Sequence, residues 1–127
     1  MERTHQYEFE SKVRYSEIDH RGTMTLPALI NYFQDCSTFQ SEEIGYGMEV
    51  LKKEKKAWVL AYWQVIVERY PKLCEKITVG TFAAGFKGMF GNRNFYMKDE
   101  NGRQIACANS IWVYMDVEKG RPVRVSD

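Results

Sequence analysis

The sequence predicts a two-layer α+β domain, one long helix covered by a curved antiparallel sheet. Three observations carry this. One stretch of helical periodicity stands alone between residues 26 and 44. Long apolar or alternating stretches fill the chain after it. Short turns rich in glycine or acidic residues join those stretches, which is the signature of strands returning antiparallel. The 127 residues suit a single domain, residues 1–127, with a core that needs no disulfide.

The elements follow in order. His5 to Arg14 alternates in part, with Tyr7, Phe9 and Val13 apolar, and reads as a first strand. The polar segment SEIDHRGTMT, with Gly22 inside it, reads as a loop. Pro27 sits where a helix starts, because a missing N–H costs nothing in the first turn. Leu26, Leu29, Ile30, Phe33, Cys36 and Ile44 then fall at helical spacing, and Tyr32 and Phe39 widen the stripe. The expected helix is Pro27 to Ile44, stopped by Gly45 and Gly47, with a short second helix over Met48 to Lys55. Trp58 to Arg69 reads as a strand whose odd positions, Val59, Ala61, Trp63, Val65 and Val67, share an apolar face. Lys76 to Ala84, Met89 to Lys98 and Arg103 to Asp116 are the remaining strands, with turns at Gly85–Gly88 and Asp99–Gly102. In the last of them Ile105, Cys107, Ile111, Val113 and Met115 are expected on one face. One apolar helix and one long antiparallel meander have an economical solution: the sheet curls around the helix. This arrangement is the hotdog fold. A single helix leaves part of such a sheet uncovered, so pairing of two units side by side, as a homodimer or larger homo-oligomer, is expected.

Composition narrows the function classes. Lys+Arg 18 against Asp+Glu 17 gives a net charge of +1, which argues against binding nucleic acid through bulk charge. No apolar run reaches membrane-spanning length, and the charged first residues predict no signal peptide, so a cytoplasmic protein with no membrane partner is expected. Cys36, Cys74 and Cys107 are odd in number and far apart, which fits neither a disulfide framework nor a metal clip. Aromatic residues reach 14%, enough to fill a thick core, to line an apolar ligand site, or both. The serine-hydrolase elbow, the zinc-binding HExxH, the phosphate-binding loop and GxGxxG are all absent.

Asp19 is the acid that stands out. It lies in the loop before the helix, with Glu17 two residues earlier and His20 directly after. A carboxylate beside a helix start sits near free backbone N–H groups, expected here at Leu29 and Ile30, which can bind a carbonyl oxygen as it becomes an oxyanion. That is a minimal kit for acyl transfer: Asp19 attacks or activates a water, His20 assists as acid or base, and the helix end takes the charge. The same residues also read as ordinary solvated loop groups. Cys36 falls inside the apolar stripe and reads as core. Lys52, Lys53, Lys55 and Lys56 form a short basic run, a solvated face or a dock for an acidic partner. Arg93, between Asn92 and Asn94, interrupts an apolar strand and is expected to be paired or to reach the surface by its stem.

Four stretches together resemble the acyl-acyl-carrier-protein (acyl-ACP) thioesterase family. They are YSEIDHRGTMTLPALINYFQDCS (Tyr15–Ser37), WVLAYWQVIVERYP (Trp58–Pro71), NRNFYMKDENGRQIACANSIWVYMD (Asn92–Asp116) and RPVRVSD (Arg121–Asp127), in the family's order over nearly the whole chain. The resemblance implies a hotdog fold, hydrolysis of fatty acyl-ACP or acyl-CoA to free fatty acid in fatty acid biosynthesis, and no metal or organic cofactor. It also implies a tandem of two hotdogs, of which this sequence resembles the first. The family's catalytic Asp-x-Asn-x-His loop belongs to the second; here the corresponding loop reads Asp19-His20-Arg21-Gly22-Thr23. More distantly the chain is similar to single-hotdog thioesterases of the 4-hydroxybenzoyl-CoA type, which place a catalytic Asp in this loop, at the position of Asp19. Phe33, Trp58 and Trp63 are then candidates to line an acyl channel, with core packing as the other use for each. A non-catalytic, acyl-binding half of a tandem protein is the alternative function.

Overall fold

The computed structural model describes residues 6–125. His5, at the start of the expected first strand, and Ser126 and Asp127 lie outside the described residues. Strand β1 (Gln6–Lys12) leads through a 3-10 turn (Tyr15–Glu17) to helix α1 (Leu26–Glu43) and the short helix α2 (Met48–Lys53). Then come β2 (Lys56–Val67), β3 (Lys76–Lys87), β4 (Phe90–Asp99), β5 (Gln104–Asp116) and the two-residue β6 (Arg121–Pro122). The sheet order is β1-β3-β4-β5-β2, all antiparallel, with β6 paired to the end of β5. The expected α+β hotdog is what forms, with α1 on the concave face of the curved sheet.

Helix α1 buries Leu29, Tyr32, Phe33, Cys36 and Gln40. The stripe differs from the expected one at its ends. Leu26, Phe39 and Ile44 are exposed, and a polar residue, Gln40, takes the last buried place. Under the helix lie Ile77 and Val79 of β3, Phe95 and Met97 of β4, and Ala106 and Ala108 of β5. Phe33 is sealed between Phe95 at 5.2 Å and Trp63 at 6.5 Å, centroid to centroid. The helix lies closest to β1 and β3.

Two expected faces need correction. In β2 the pairing with β5 slips between Leu60 and Tyr62, so one extra residue enters the strand. A single inserted residue swaps every side chain beyond it to the other face. Trp63, Val65 and Val67 face the helix as expected, but Trp58 and Leu60 join them, while Val59 is 49% exposed. In β5 the concave face carries Ala106, Ala108, Ser110, Trp112 and Tyr114; of the expected set Ile105 is in the core, at a bulge, while Cys107, Ile111, Val113 and Met115 stand on the other face. Only small residues leave room where the helix side chains come down onto the sheet.

Beyond the end of α1 the concave face of β2 and β5 is half open. Trp58, Leu60, Trp112 and Tyr114 there are all half-buried. Trp58 packs on Tyr114 at 4.8 Å and on Phe86 at 5.8 Å. Gly91 makes this possible: a Cβ on it would lie 3.1 Å from both Phe86 and Trp58. The expected Gly85–Gly88 turn is shorter than predicted, since β3 runs on through a bulge at Ala84 to Lys87.

Candidate active site at the start of the long helix

The loop before α1 is built by short-range hydrogen bonds. Asp19 N–H donates to the Thr23 carbonyl at 3.1 Å, and Gly22 N–H to the Asp19 carbonyl at 2.9 Å. Gly22 turns the chain at φ 79°, a conformation glycine adopts without steric cost. A second set pins the loop to the rest of the fold. Met24 N–H donates to the Pro71 carbonyl at 2.8 Å, and Leu73 N–H to the Gly22 carbonyl at 2.9 Å. The segment between β2 and β3 thereby comes to lie against the loop.

Glu17 locks the other side. Its carboxylate accepts from the Tyr32 hydroxyl at 2.8 Å, the Arg14 amide at 2.9 Å and the Arg14 guanidinium at 2.7 Å. Thr25 N–H donates to the Glu17 carbonyl at 3.0 Å. Burial pushes the Glu17 carboxyl up, but those donors outweigh it and bring it below its ordinary value. Glu17 therefore stays ionised and fixes the loop to the helix.

These contacts leave a cleft of about 330 Å³ walled by Asp19, Arg21, Thr23, Met24, Thr25, Leu26 and Tyr70. Asp19 is 24% exposed at its side chain. Its carboxylate accepts from the Arg21 guanidinium at 2.8 and 3.2 Å and from the Arg21 amide at 2.9 Å. The guanidinium and then the amide hold the Asp19 carboxyl below its ordinary value. Asp19 thus stands ionised in the cleft, gripped by its neighbour.

The helix start differs from expectation. Thr25 is the N-cap, its Oγ1 accepting from Ala28 N–H at 3.3 Å, and Pro27 has no N–H to offer. Leu29 N–H donates to the Thr25 carbonyl at 3.0 Å, and Ile30 lies one residue further into the helix. Neither amide is free to hold an oxyanion, because the helix begins earlier than predicted and its own carbonyls claim them. Among the described residues the open N–H at this end is that of Leu26, which is also a wall of the cleft. His20 is exposed in the turn and is not a wall of the cleft; it makes no hydrogen bond to Asp19 among the described residues, though its charge adds to the lowering of the Asp19 carboxyl.

The other candidates separate. Phe33 is fully buried and is core; it touches Trp63, whereas Trp58 belongs to the open aromatic group further along the sheet. Lys55 pairs with Glu118 at 3.0 Å, and Lys56 lies 4.0 Å from Asp116. Lys52 and Lys53 remain exposed on α2 without an ion pair among the described residues. Burial pushes the Cys36 thiol up to about 12, so it stays a neutral core group. The outer face of the sheet has a hollow of about 300 Å³, between Gln64, Phe82, Tyr96 and Asn109, with no carboxylate in its wall. Sequence reasoning missed Thr23 and Tyr70. The second is brought to the cleft by the Met24–Pro71 bond, which no local pattern signals.

A curved antiparallel sheet around one long helix defines a hotdog-fold domain, and this one carries an ionised loop acid and an open amide at the helix start. The chain belongs to the acyl-ACP thioesterase N-terminal domain family, whose model matches residues 4–127. It is 28% identical over 125 residues to a chloroplastic palmitoyl-acyl carrier protein thioesterase of Cuphea hookeriana, covering 91% of this chain and 29% of that protein. A crystal structure assigned to an oleoyl thioesterase of Lactobacillus plantarum superposes with a TM-score of 0.94 at 28% identity, over 97% of this chain and 48% of that one. An acyl-ACP thioesterase of Bacteroides thetaiotaomicron superposes at 0.86 with 25% identity, over 96% and 49%. The chain spans about half the length of these solved structures and about a third of the curated plant relatives it matches.

Proposed function

We propose that this chain is one hotdog unit of an acyl-ACP thioesterase and that it hydrolyses fatty acyl thioesters at the cleft before α1. The family match over residues 4–127 carries the reaction class, and the presence of Asp19 and Leu26 in the wall of one cleft supports the place. In this reading Asp19 takes a proton from a water whose oxygen bonds to the thioester carbon. The carbonyl oxygen, now negative, is held by the Leu26 N–H and the positive end of the helix. The C–S bond then breaks, the proton passes from Asp19 to the departing thiolate, and a free fatty acid remains. Arg21 must release Asp19 for the base to act. No metal or organic cofactor enters these steps.

The open aromatic half of the concave face, at Trp58, would take an acyl chain; it lies at the other end of α1 from the cleft, so the chain of a thioester held at Asp19 would lie on the shelf of a second copy. A second copy would complete that half, because β2 is an edge strand of the sheet. Homodimerisation follows from the same surface. Three free cysteines fit the cytoplasm as the compartment.

The grip of Arg21 on Asp19 favours one second reading, in which the unit binds acyl chains without cleaving them. An assay decides between the two. Purified 127-residue protein is expected to release free thiol from acyl-ACP or acyl-CoA substrates of several chain lengths. Saturable binding with no thiol released would establish the acyl-binding reading instead.

The carrier protein is acidic, and among the described residues Lys52 and Lys53 are the cations of the basic run without an ion pair. Replacing both with glutamine is expected to raise KM for acyl-ACP several-fold, leave kcat in place and leave KM for acyl-CoA nearly unchanged. A KM for acyl-ACP that does not move would remove the docking role.

A further inference from the structure

Arg93 is the half-buried arginine of the described residues; Arg14, Arg21, Arg69, Arg103, Arg121 and Arg124 are all exposed. The first three of those grip acids. Among the described residues Arg93 has no acid against it. Its Nη1 donates to Gln40 Oε1 at 2.5 Å and to Thr81 Oγ1 at 3.1 Å, two neutral oxygens. A desolvated charge with only neutral partners is unfavourable, and folded proteins rarely keep one without a use.

The fork formed by Nε and Nη2 is the informative part. Arg14 holds Glu17, and Arg21 holds Asp19, through this same edge. In Arg93 that edge has no hydrogen-bond partner among the described residues, and it is not sealed from the surface. It is a carboxylate-shaped donor pair left open.

Its surroundings set the rest of the ligand. Arg93 pairs across the sheet with Ser110, whose Oγ donates to the Arg93 carbonyl at 3.0 Å. Trp112 Nε1 donates to that Oγ at 2.8 Å, so the indole is held beside Arg93 on the same face. Two residues before Arg93, Gly91 opens onto Trp58 and Phe86. The guanidinium therefore stands where the helix-covered core ends and the half-open aromatic shelf begins.

We propose that this shelf binds a free fatty carboxylate, its head on the Arg93 fork and its tail along Trp112 and Trp58. The proposal rests on reading this face as acyl-binding and deepens it: the ligand is the released acid, so the shelf retains the reaction product.

The test is calorimetric titration of the full chain with decanoate, decan-1-ol and acetate, with thioester hydrolysis measured on the same preparations. Decanoate is expected to bind about ten- to a hundredfold more tightly than decan-1-ol, the worth of a charged hydrogen-bonded pair. Acetate is expected to bind far more weakly than decanoate. Arg93→Gln should bring decanoate down to the affinity of decan-1-ol and leave decan-1-ol binding in place. Should that variant fail to fold, Arg93→Lys decides, because it keeps the charge and loses the fork; the preference should fall several-fold. Equal affinity for acid and alcohol overturns the proposal, as does a preference that survives both substitutions. A dimer that takes up neither ligand also overturns it, since a second copy then closes the shelf. Hydrolysis with equal affinities would remove the carboxylate site and keep the thioesterase; binding without hydrolysis would do the reverse.

Discussion

Asp19→Asn is expected to lower kcat/KM for acyl thioester hydrolysis at least about a hundredfold, the low end for losing a positioned base. Asparagine keeps the shape and still accepts from the Arg21 amide, so the loop should hold and the loss should reflect the missing charge. The pH profile gives a second readout. Arg21 holds the Asp19 carboxyl below its ordinary value, so the base form persists as pH falls and activity should decline only below the usual carboxylate range. Arg21→Ala removes that hold, lets the carboxyl rise toward its ordinary value, and should move the acid limb of the profile to higher pH. Turnover unchanged in Asp19→Asn would take the chemistry away from this cleft. An acid limb unmoved in Arg21→Ala would show that Asp19 is not the group being titrated.

Phe33→Ala is expected to be the most damaging single change to stability, about 3–5 kcal/mol by urea denaturation with an unchanged m-value. Phe33 is fully buried and its ring sits between Phe95 and Trp63, joining helix, sheet centre and sheet edge at one point. Removing it opens a void that three rigid elements cannot close. Trp58→Ala should cost less, because Trp58 is half-buried on the open shelf. A loss under about 1 kcal/mol for Phe33→Ala would mean that the core can repack around the gap. The comparison also separates the roles expected of these aromatics: Phe33 is scaffold, while Trp58 is free to meet a ligand.

The fold was legible because its signals are periodic. The helix stripe from Leu29 to Cys36, Pro27 in its first turn and the Asp99–Gly102 turn each act within a few residues, so they can be read in one pass. The faces of β2 and β5 were less legible. The bulge at Ala61 depends on how β2 meets β5, and Val59, Ala61 and Trp63 look like one uninterrupted apolar face until the partner strand is present. Asp19 was visible by its place before the helix. Its grip by Arg21 was not, and neither was the capture of the Leu29 amide by Thr25, since both follow from where the turn and the helix actually begin.

The sequence by itself determined the α+β hotdog, the single long helix, the acidic loop at its start and the family. Each of these is written in local spacing or in residues that stay in order along the chain. Only the tertiary structure decided which amide is open, which lysines remain unpaired, that Tyr70 walls the cleft, and that Arg93 meets Gln40 and Thr81 instead of an acid. Those outcomes join residues up to 63 apart in sequence. Burial and hydrogen bonding at such distances are set by how strands and helix pack, and no pattern within one segment encodes its neighbour's position.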